Sequence, residues 1–265
     1  MSKLYLFFFL SIFQITTLFA ADTLIVKSQY IASADTVLVF CPENHSPDSV
    51  FPVVYLLHGY GGNYSSFSNF LNLQWLANKY QFIIICPDGL KDSWYFDSPQ
   101  RENSSWEQFY FNELYPLINR KYPVDSTNIF ITGYSMGGHG AMYLFLRNTA
   151  KFRAAGASSG VMDLNQSRLK KTSIASHLGS WPDSAQKFLQ YSSISYLENL
   201  KKAQKEIIFD CGTEDYLQKA NQTFYEKCME LELPVYFIEM EGDHNAQYWK
   251  ESFLWHFSFF ARKVE

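Results

Sequence analysis

The chain is poor in the residues that would mark it for metal binding, nucleic acid or covalent stapling. Of 265 residues only four are cysteine, Cys41, Cys86, Cys211 and Cys228. Their spacing matches no zinc or redox motif, and strand-like runs around Cys41, Cys86 and Cys211 point to buried free thiols. Positive charge is scarce: 22 Lys and Arg stand against 26 Asp and Glu, for a net charge of −4, with no basic stripe. That argues against a nucleic-acid partner. No His/Cys/Asp cluster has metal-ligand spacing, so neither a metal nor another cofactor is expected. Internal repeats and low-complexity tracts are missing, which excludes solenoids and biased disordered segments. Long apolar runs are missing as well, except at the N-terminus. There, Leu4 to Phe13 falls short of the ~20 residues that span a bilayer. With Lys3 before it and Ala20 and Ala21 after it, this stretch reads as a signal peptide over residues 1–20. The expected address is secreted or periplasmic, with no stable membrane anchor after cleavage. Five Asn-x-Ser/Thr sequons, at Asn44, Asn63, Asn103, Asn165 and Asn221, matter only in a host that glycosylates.

What is abundant is core-forming material, with 47% hydrophobic and 18% aromatic residues. Residues 21–265 suit one large domain with a sizeable core. Eight runs read as strands: Leu24 to Ile31, Thr36 to Cys41, Val53 to Leu57, Phe82 to Cys86, Ile129 to Thr132, Ala154 to Ala157, Ile207 to Phe209 and Val235 to Glu239. The short, wholly apolar ones are the mark of strands buried on both faces. Helical segments alternate with the later strands. Ser104-x-x-Glu107 has the form of a capping box, and Pro116 should kink or shorten the helix that follows. The last helix, Ala246 to Arg262, carries an aromatic stripe at Trp249, Phe253, Phe257 and Phe260, read as core packing. Alternating βα order implies an α/β fold, a mostly parallel sheet with helices on both faces. Between Gly160 and Lys205 no strand is evident, and residues 161–205 are a candidate cap.

The motif that carries chemistry is Gly133-Tyr134-Ser135-Met136-Gly137. It follows an apolar strand-like run and precedes small residues and a helix, so Ser135 would sit on a sharp strand-to-helix turn. A serine hydroxyl needs a base, and the base needs an orienting carboxylate. On such an elbow the partners follow in the order Ser, acid, His. His244, in a loop between the last strand and the last helix, fits the base. His139 and His256 lie in helices, and His177 in the candidate cap. Asp215 stands in the loop after the penultimate strand and is the expected acid, ahead of Asp210, Glu214 and Asp243. An oxyanion hole needs two N–H groups. Met136 should supply one and Tyr60 the other, with Gly61 as alternative, from His58-Gly59-Tyr60-Gly61-Gly62. His58 is then a loop-shaping residue.

These four segments together, His58 to Gly62, Gly133 to Ala141, Cys211 to Asp215 and Gly242 to His244, resemble the Putative esterase family of α/β-hydrolases. That group includes esterase D (S-formylglutathione hydrolase), tributyrin esterase, feruloyl and acetylxylan esterases and the antigen 85 mycolyltransferases. The resemblance implies the α/β-hydrolase fold and cofactor-free ester hydrolysis through an acyl-serine. By position it makes Ser135 the nucleophile, His244 the base, Asp215 the acid, and Tyr60 and Met136 the oxyanion donors. It also suggests that Trp94, in an aromatic segment, lines the acyl site. Trp181 in the candidate cap could stack on an aromatic acyl group or a sugar. Together with the signal peptide this points to an exported carboxylesterase acting on acetyl or feruloyl esters of plant polysaccharides. The competing readings are an acyltransferase, a glutathione thioesterase, and a non-catalytic carbohydrate-binding relative, which would be expected to lack a member of the triad.

Overall fold

Eight strands form one sheet in the order β1-β2-β4-β3-β5-β6-β7-β8. The structure is a computed structural model that describes residues 21–43 and 48–264. The expected signal peptide and Asn44 lie outside the described residues. The strands are β1 (Asp22–Val26), β2 (Asp35–Phe40), β3 (Phe51–Leu57), β4 (Ile83–Pro87), β5 (Val124–Gly133), β6 (Ala154–Ser158), β7 (Ile207–Gly212) and β8 (Val235–Met240). β1 and β2 pair antiparallel, and β2 also meets β4 antiparallel; every other pairing is parallel. All eight expected strands form. The first ends at Val26 rather than Ile31, because Ile31 instead bridges Ser104.

Burial follows position in the sheet. Every residue of β3, β4 and β6 is buried, as parallel strands covered on both faces require. β2 alternates between buried and half-buried, and the edge strand β8 is largely exposed or half-exposed. β6 reads Ala-Ala-Gly-Ala-Ser, a poor strand sequence by propensity. Its small side chains let helices approach from both sides.

The helices divide between the two faces. α1 (Leu73–Tyr80) and α9 (Ala246–Ala261) build one core with Leu76, Phe253, Phe257 and Phe260. The other core takes α2 (Trp106–Phe109), α3 (Tyr115–Lys121), α4 (Met136–Arg147) and α8 (Gln218–Glu230). Between α2 and α3 the chain makes a π turn, Tyr110–Leu114. Pro116 follows within the first turn of α3. It has no N–H to donate, and the widened register accommodates it without ending the helix. The expected capping box does not form: Ser105, not Ser104, precedes the helix and makes no side-chain cap. Glu107 instead accepts hydrogen bonds from Arg147 and Asn148.

Residues 161–205 contain no strand and fold into α5 (Ser173–Leu178), α6 (Ala185–Gln190), α7 (Leu197–Ala203) and short 3-10 turns. Most of their apolar side chains, among them Ile174, Leu178, Phe188 and Leu200, join the core on the α4 face. Arg168 and Leu169 of this segment line the cavity over Ser135. All four cysteines are free thiols, three of them buried.

Candidate active site

Ser135 sits where β5 turns into α4, with φ 54° and ψ −117°. A side-chain-bearing residue held at positive φ costs on the order of 1–3 kcal/mol and persists only where its surroundings enforce it. Here two close approaches do so. A Cβ on Gly137 would lie 1.9 Å from the Leu57 carbonyl oxygen, so α4 can start against the end of β3 only with glycine there. The Ser135 N–H donates to the Ser158 carbonyl at 3.0 Å, tying the elbow to β6. The hydroxyl is thereby lifted off the sheet.

Three loops meet around it. His244 Nε2 lies 2.9 Å from Ser135 Oγ, and His244 Nδ1 lies 2.8 Å from Asp215 Oδ2. The Asp215 side chain is fully buried and the His244 ring is 17% exposed. Burial pushes the Asp215 carboxyl up. The hydrogen bond and charge of His244, together with the Leu217 N–H, outweigh that and hold it below the usual carboxylate range. The acid therefore stays ionised at neutral pH and selects the tautomer with hydrogen on Nδ1, leaving Nε2 free to accept from Ser135. The loops that carry acid and base are laced together. Thr213 N–H donates to the Met240 carbonyl at 2.8 Å and Glu214 N–H to Gly242 at 2.9 Å. A Cβ on Gly212 would meet the Gly242 oxygen at 2.1 Å.

The expected oxyanion donors are the two N–H groups left open. Gly61 N–H is committed to the Lys91 carbonyl at 2.8 Å, which removes the alternative donor. Among the described residues, the Tyr60 and Met136 N–H groups meet no acceptor. The loop that presents Tyr60 is braced from below. His58 Nδ1 donates to the Gly59 carbonyl at 2.8 Å, and its Nε2 accepts from Gly89 N–H at 2.8 Å. Both nitrogens are thus engaged, one within its own loop and the other across to the loop after β4, and the ring ties the two together.

The cavity over Ser135, about 310 Å³, is walled by Tyr60, Tyr134, Tyr216 and Trp249, with Arg168, Leu169 and His244 completing it. Neither tryptophan expected at the substrate site reaches it. Trp94 is buried, with Nε1 donating to Ser173 at 2.9 Å and its ring against His139. Its segment serves as a brace, because the next residue, Tyr95, donates its hydroxyl to the His58 carbonyl at 2.8 Å. Trp181 donates to Asn165 at 3.1 Å and carries Lys170 over its ring at 4.1 Å, away from the cavity. Both are structural because aromatic content here goes first to filling a large core. Conversely, the stripe on α9 is core at Phe253, Phe257 and Phe260 only. Trp249 stacks on Tyr134 at 4.3 Å and lies edge-on to His244 at 5.1 Å. It sits in the first turn of α9, directly after the base loop, and that position was the available signal. Tyr216 adjoins the acid and packs on His244 at 4.7 Å.

Among the described residues the other histidines stay out of the site. His139 is buried, its Nδ1 donating to the Val161 carbonyl at 3.2 Å. His177 accepts from Arg101 at 2.8 Å. His256 donates from Nε2 to Asp210 at 2.7 Å and takes the Thr132 hydroxyl on Nδ1, also at 2.7 Å. The Ser158 and Ser252 hydroxyls also donate to the Asp210 carboxylate, each at 2.8 Å. Asp210 thus orients a histidine, but a wholly buried one beneath the elbow. Asp243 accepts the His244 N–H at 2.6 Å and shapes the loop. Among the described residues no group of three or more His, Cys, Asp or Glu is arranged to hold a metal ion.

A family model described as "Putative esterase" matches residues 28–260. S-formylglutathione hydrolase of Mus musculus is 27% identical over 227 residues, covering 77% of this chain and 79% of that protein. An acetyl esterase of Caldicellulosiruptor saccharolyticus is 24% identical over 246 residues, 84% of this chain and 91% of that one. Among solved structures, an S-formylglutathione hydrolase from Agrobacterium tumefaciens superposes with a TM-score of 0.79 at 21% identity, over 93% of this chain and 99% of that one.

Proposed function

The chain belongs to the Putative esterase family of α/β-hydrolases, and from that premise we propose that it is an exported serine carboxylesterase using Ser135, His244 and Asp215. Ser135 Oγ attacks the ester carbonyl carbon as His244 Nε2 takes its proton. Asp215 holds the ring in register and stabilises the imidazolium. The tetrahedral oxyanion is received by the N–H groups of Tyr60 and Met136, each such donor being worth on the order of 3 kcal/mol in the transition state. His244 then protonates the departing alcohol. Water, activated by the same imidazole, cleaves the acyl-serine and restores the hydroxyl. The observation that carries this reading is the unbroken relay of 2.9 Å and 2.8 Å from Ser135 through His244 to Asp215, opposite two unpartnered N–H groups.

Wild-type protein should hydrolyse short-chain aryl esters, with activity surviving a chelator. Ser135→Ala should lose on the order of 10⁵-fold or more in kcat with an unchanged circular dichroism spectrum. Turnover near wild type in that variant would end the proposal.

The substrates we propose are acetyl or feruloyl esters of extracellular polysaccharides. The support is the N-terminal sequence, which reads as an export signal, and the similarity to an acetyl esterase. The similarity to S-formylglutathione hydrolases makes a glutathione thioester the rival. Purified protein offered acetylated xylan, a feruloylated oligosaccharide, a short triglyceride and S-formylglutathione decides between them, with Ser135→Ala as control. Export itself is tested by N-terminal sequencing of protein recovered outside the cytoplasm, which should begin at Ala21 or Asp22.

A further inference from the structure

The candidate active-site cavity holds one charged side chain beyond the relay, and the relay does not use it. Arg168 enters from the segment after β6 and lays its guanidinium over the Tyr216 ring, 3.6 Å from the centroid. Tyr216 in turn packs on His244 at 4.7 Å. Among the described residues no Asp or Glu lines this cavity, whose other walls are Gly59, Tyr60, Tyr134, Leu169 and Trp249. Nor does any described ion pair engage Arg168, whereas Arg101 pairs with Asp92 and Arg147 with Glu107. A guanidinium stacked by its face keeps its N–H edge directed sideways. That edge matches a carboxylate in a bidentate, planar contact. The ionised Asp215 carboxylate is buried and turned onto His244, so a cation held against the rings of the nucleophile's pocket still favours anionic ligands there.

We propose that Arg168 is a specificity-determining residue that selects esters bearing a carboxylate close to the scissile bond. The proposal rests on the esterase reading of Ser135 above. The aromatic walls hold the apolar body of the substrate, and Arg168 binds its anionic end while Ser135 attacks the carbonyl. Arg168 has no part in proton transfer. Its contribution is to binding and orientation, so it acts on the discrimination between substrates.

The test uses matched pairs that differ only in charge. Mono-4-nitrophenyl succinate against its succinamide analogue places the carboxylate on the acyl side. 4-Acetoxybenzoate against 4-acetoxybenzamide places it on the alcohol side. In one of the two pairs the wild-type kcat/KM should favour the anion by about tenfold, the scale that one charge-assisted hydrogen bond supports. Which pair responds identifies the side of the ester that Arg168 faces. The preference should reside mainly in KM and shrink as salt rises toward about 1 M. Arg168→Gln should bring that ratio to about one, Arg168→Glu should invert it, and Arg168→Lys should keep only part of it. Ratios near one in both pairs for the wild type would overturn the proposal, as would a wild-type ratio that survives Arg168→Gln. Neither result touches the esterase reading, which fails separately if no ester is cleaved or if Ser135→Ala cleaves as well as wild type.

Discussion

At the scale of the residue, two carboxylates among the described residues each pair with a histidine, in opposite settings. Asp215 faces His244 beside the nucleophile, whereas Asp210 faces His256 in the core. Replacing each with asparagine should therefore have opposite signatures. Asp215→Asn keeps the shape but presents an amide that cannot hold the Nδ1-protonated tautomer. It should lower kcat on the order of 10³–10⁴-fold, as loss of the orienting acid does in serine hydrolases generally, while Tm changes little. Asp210→Asn strips a buried acceptor from Ser158, Ser252 and His256. It should cost about 3 kcal/mol of stability and leave kcat of the folded fraction far less affected. Kinetics and thermal melts on the two variants check this; a kcat collapse in Asp210→Asn with an unchanged melt would reverse the assignment. Ser135, Asp215 and His244 were legible in the sequence because each falls directly after a strand-like run, where side chains must project beyond the sheet. Arg168, Tyr216 and Trp249 were not, because their roles come from where three separate loops converge. Trp94 and Trp181 illustrate the converse: an aromatic near a motif is not thereby in the pocket.

At the scale of the element, the elbow is a packing problem before it is a catalytic device. β5 pairs with β3 to its last residue, Leu57 opposite Gly133, and α4 then begins against the same Leu57 carbonyl. Gly137→Ala places a methyl group inside that contact, with backbone rather than a flexible side chain on the other side. Relief requires α4 to shift away from β3. The expected loss is about 3 kcal/mol, near the upper end for overpacking, which corresponds to a Tm lower by roughly 6–12 °C for a domain of this size. Activity should fall further than stability, because the shift moves the Met136 N–H away from the oxyanion. A melt and kcat/KM within error of wild type would show that the elbow tolerates the displacement. Strand existence was readable from runs such as Phe82 to Cys86 because buried parallel strands need continuous apolar sequence. The helix N-terminus at Ser104–Ser105 was misread because Ser104 is drawn into bridging Ile31. Tertiary pairing outcompetes a local cap.

At the scale of the whole molecule, the sequence implied alternation of strands and helices but not the sheet order, since the placement of β4 between β2 and β3 depends on pairings far apart in the chain. The folded sheet leaves two histidines buried on the α4 face, and this gives the protein a defined acid sensitivity. Burial pushes the His139 imidazole down to about 3, against the pull of the Val161 carbonyl. Burial and the Arg101 guanidinium push His177 down to about 4, against the pull of Asp92. In the unfolded chain both titrate at about 6.5. Below that pH the unfolded state binds protons that the native state refuses. Their contribution is thus intact above pH about 6.5 and declines as pH falls, by about 1.4 kcal/mol per pH unit for each excess proton. The decline ends only where the folded imidazoles themselves titrate. Asp35 works in the other sense: burial raises its carboxyl well above the usual range, against the hydrogen bond from Asp88 N–H. The native state therefore keeps a proton that the unfolded chain loses, and this stabilisation fades as pH rises through the folded pKa, so Asp35 offsets at most one histidine. His139→Phe removes one of the two buried imidazoles while keeping a ring between Trp94 and Tyr143. Urea unfolding at steps between pH 6 and pH 4 should then give a stability slope shallower than wild type by about one proton, whatever the absolute stability of the variant. An unchanged slope would mean that His139 is protonated in the native protein.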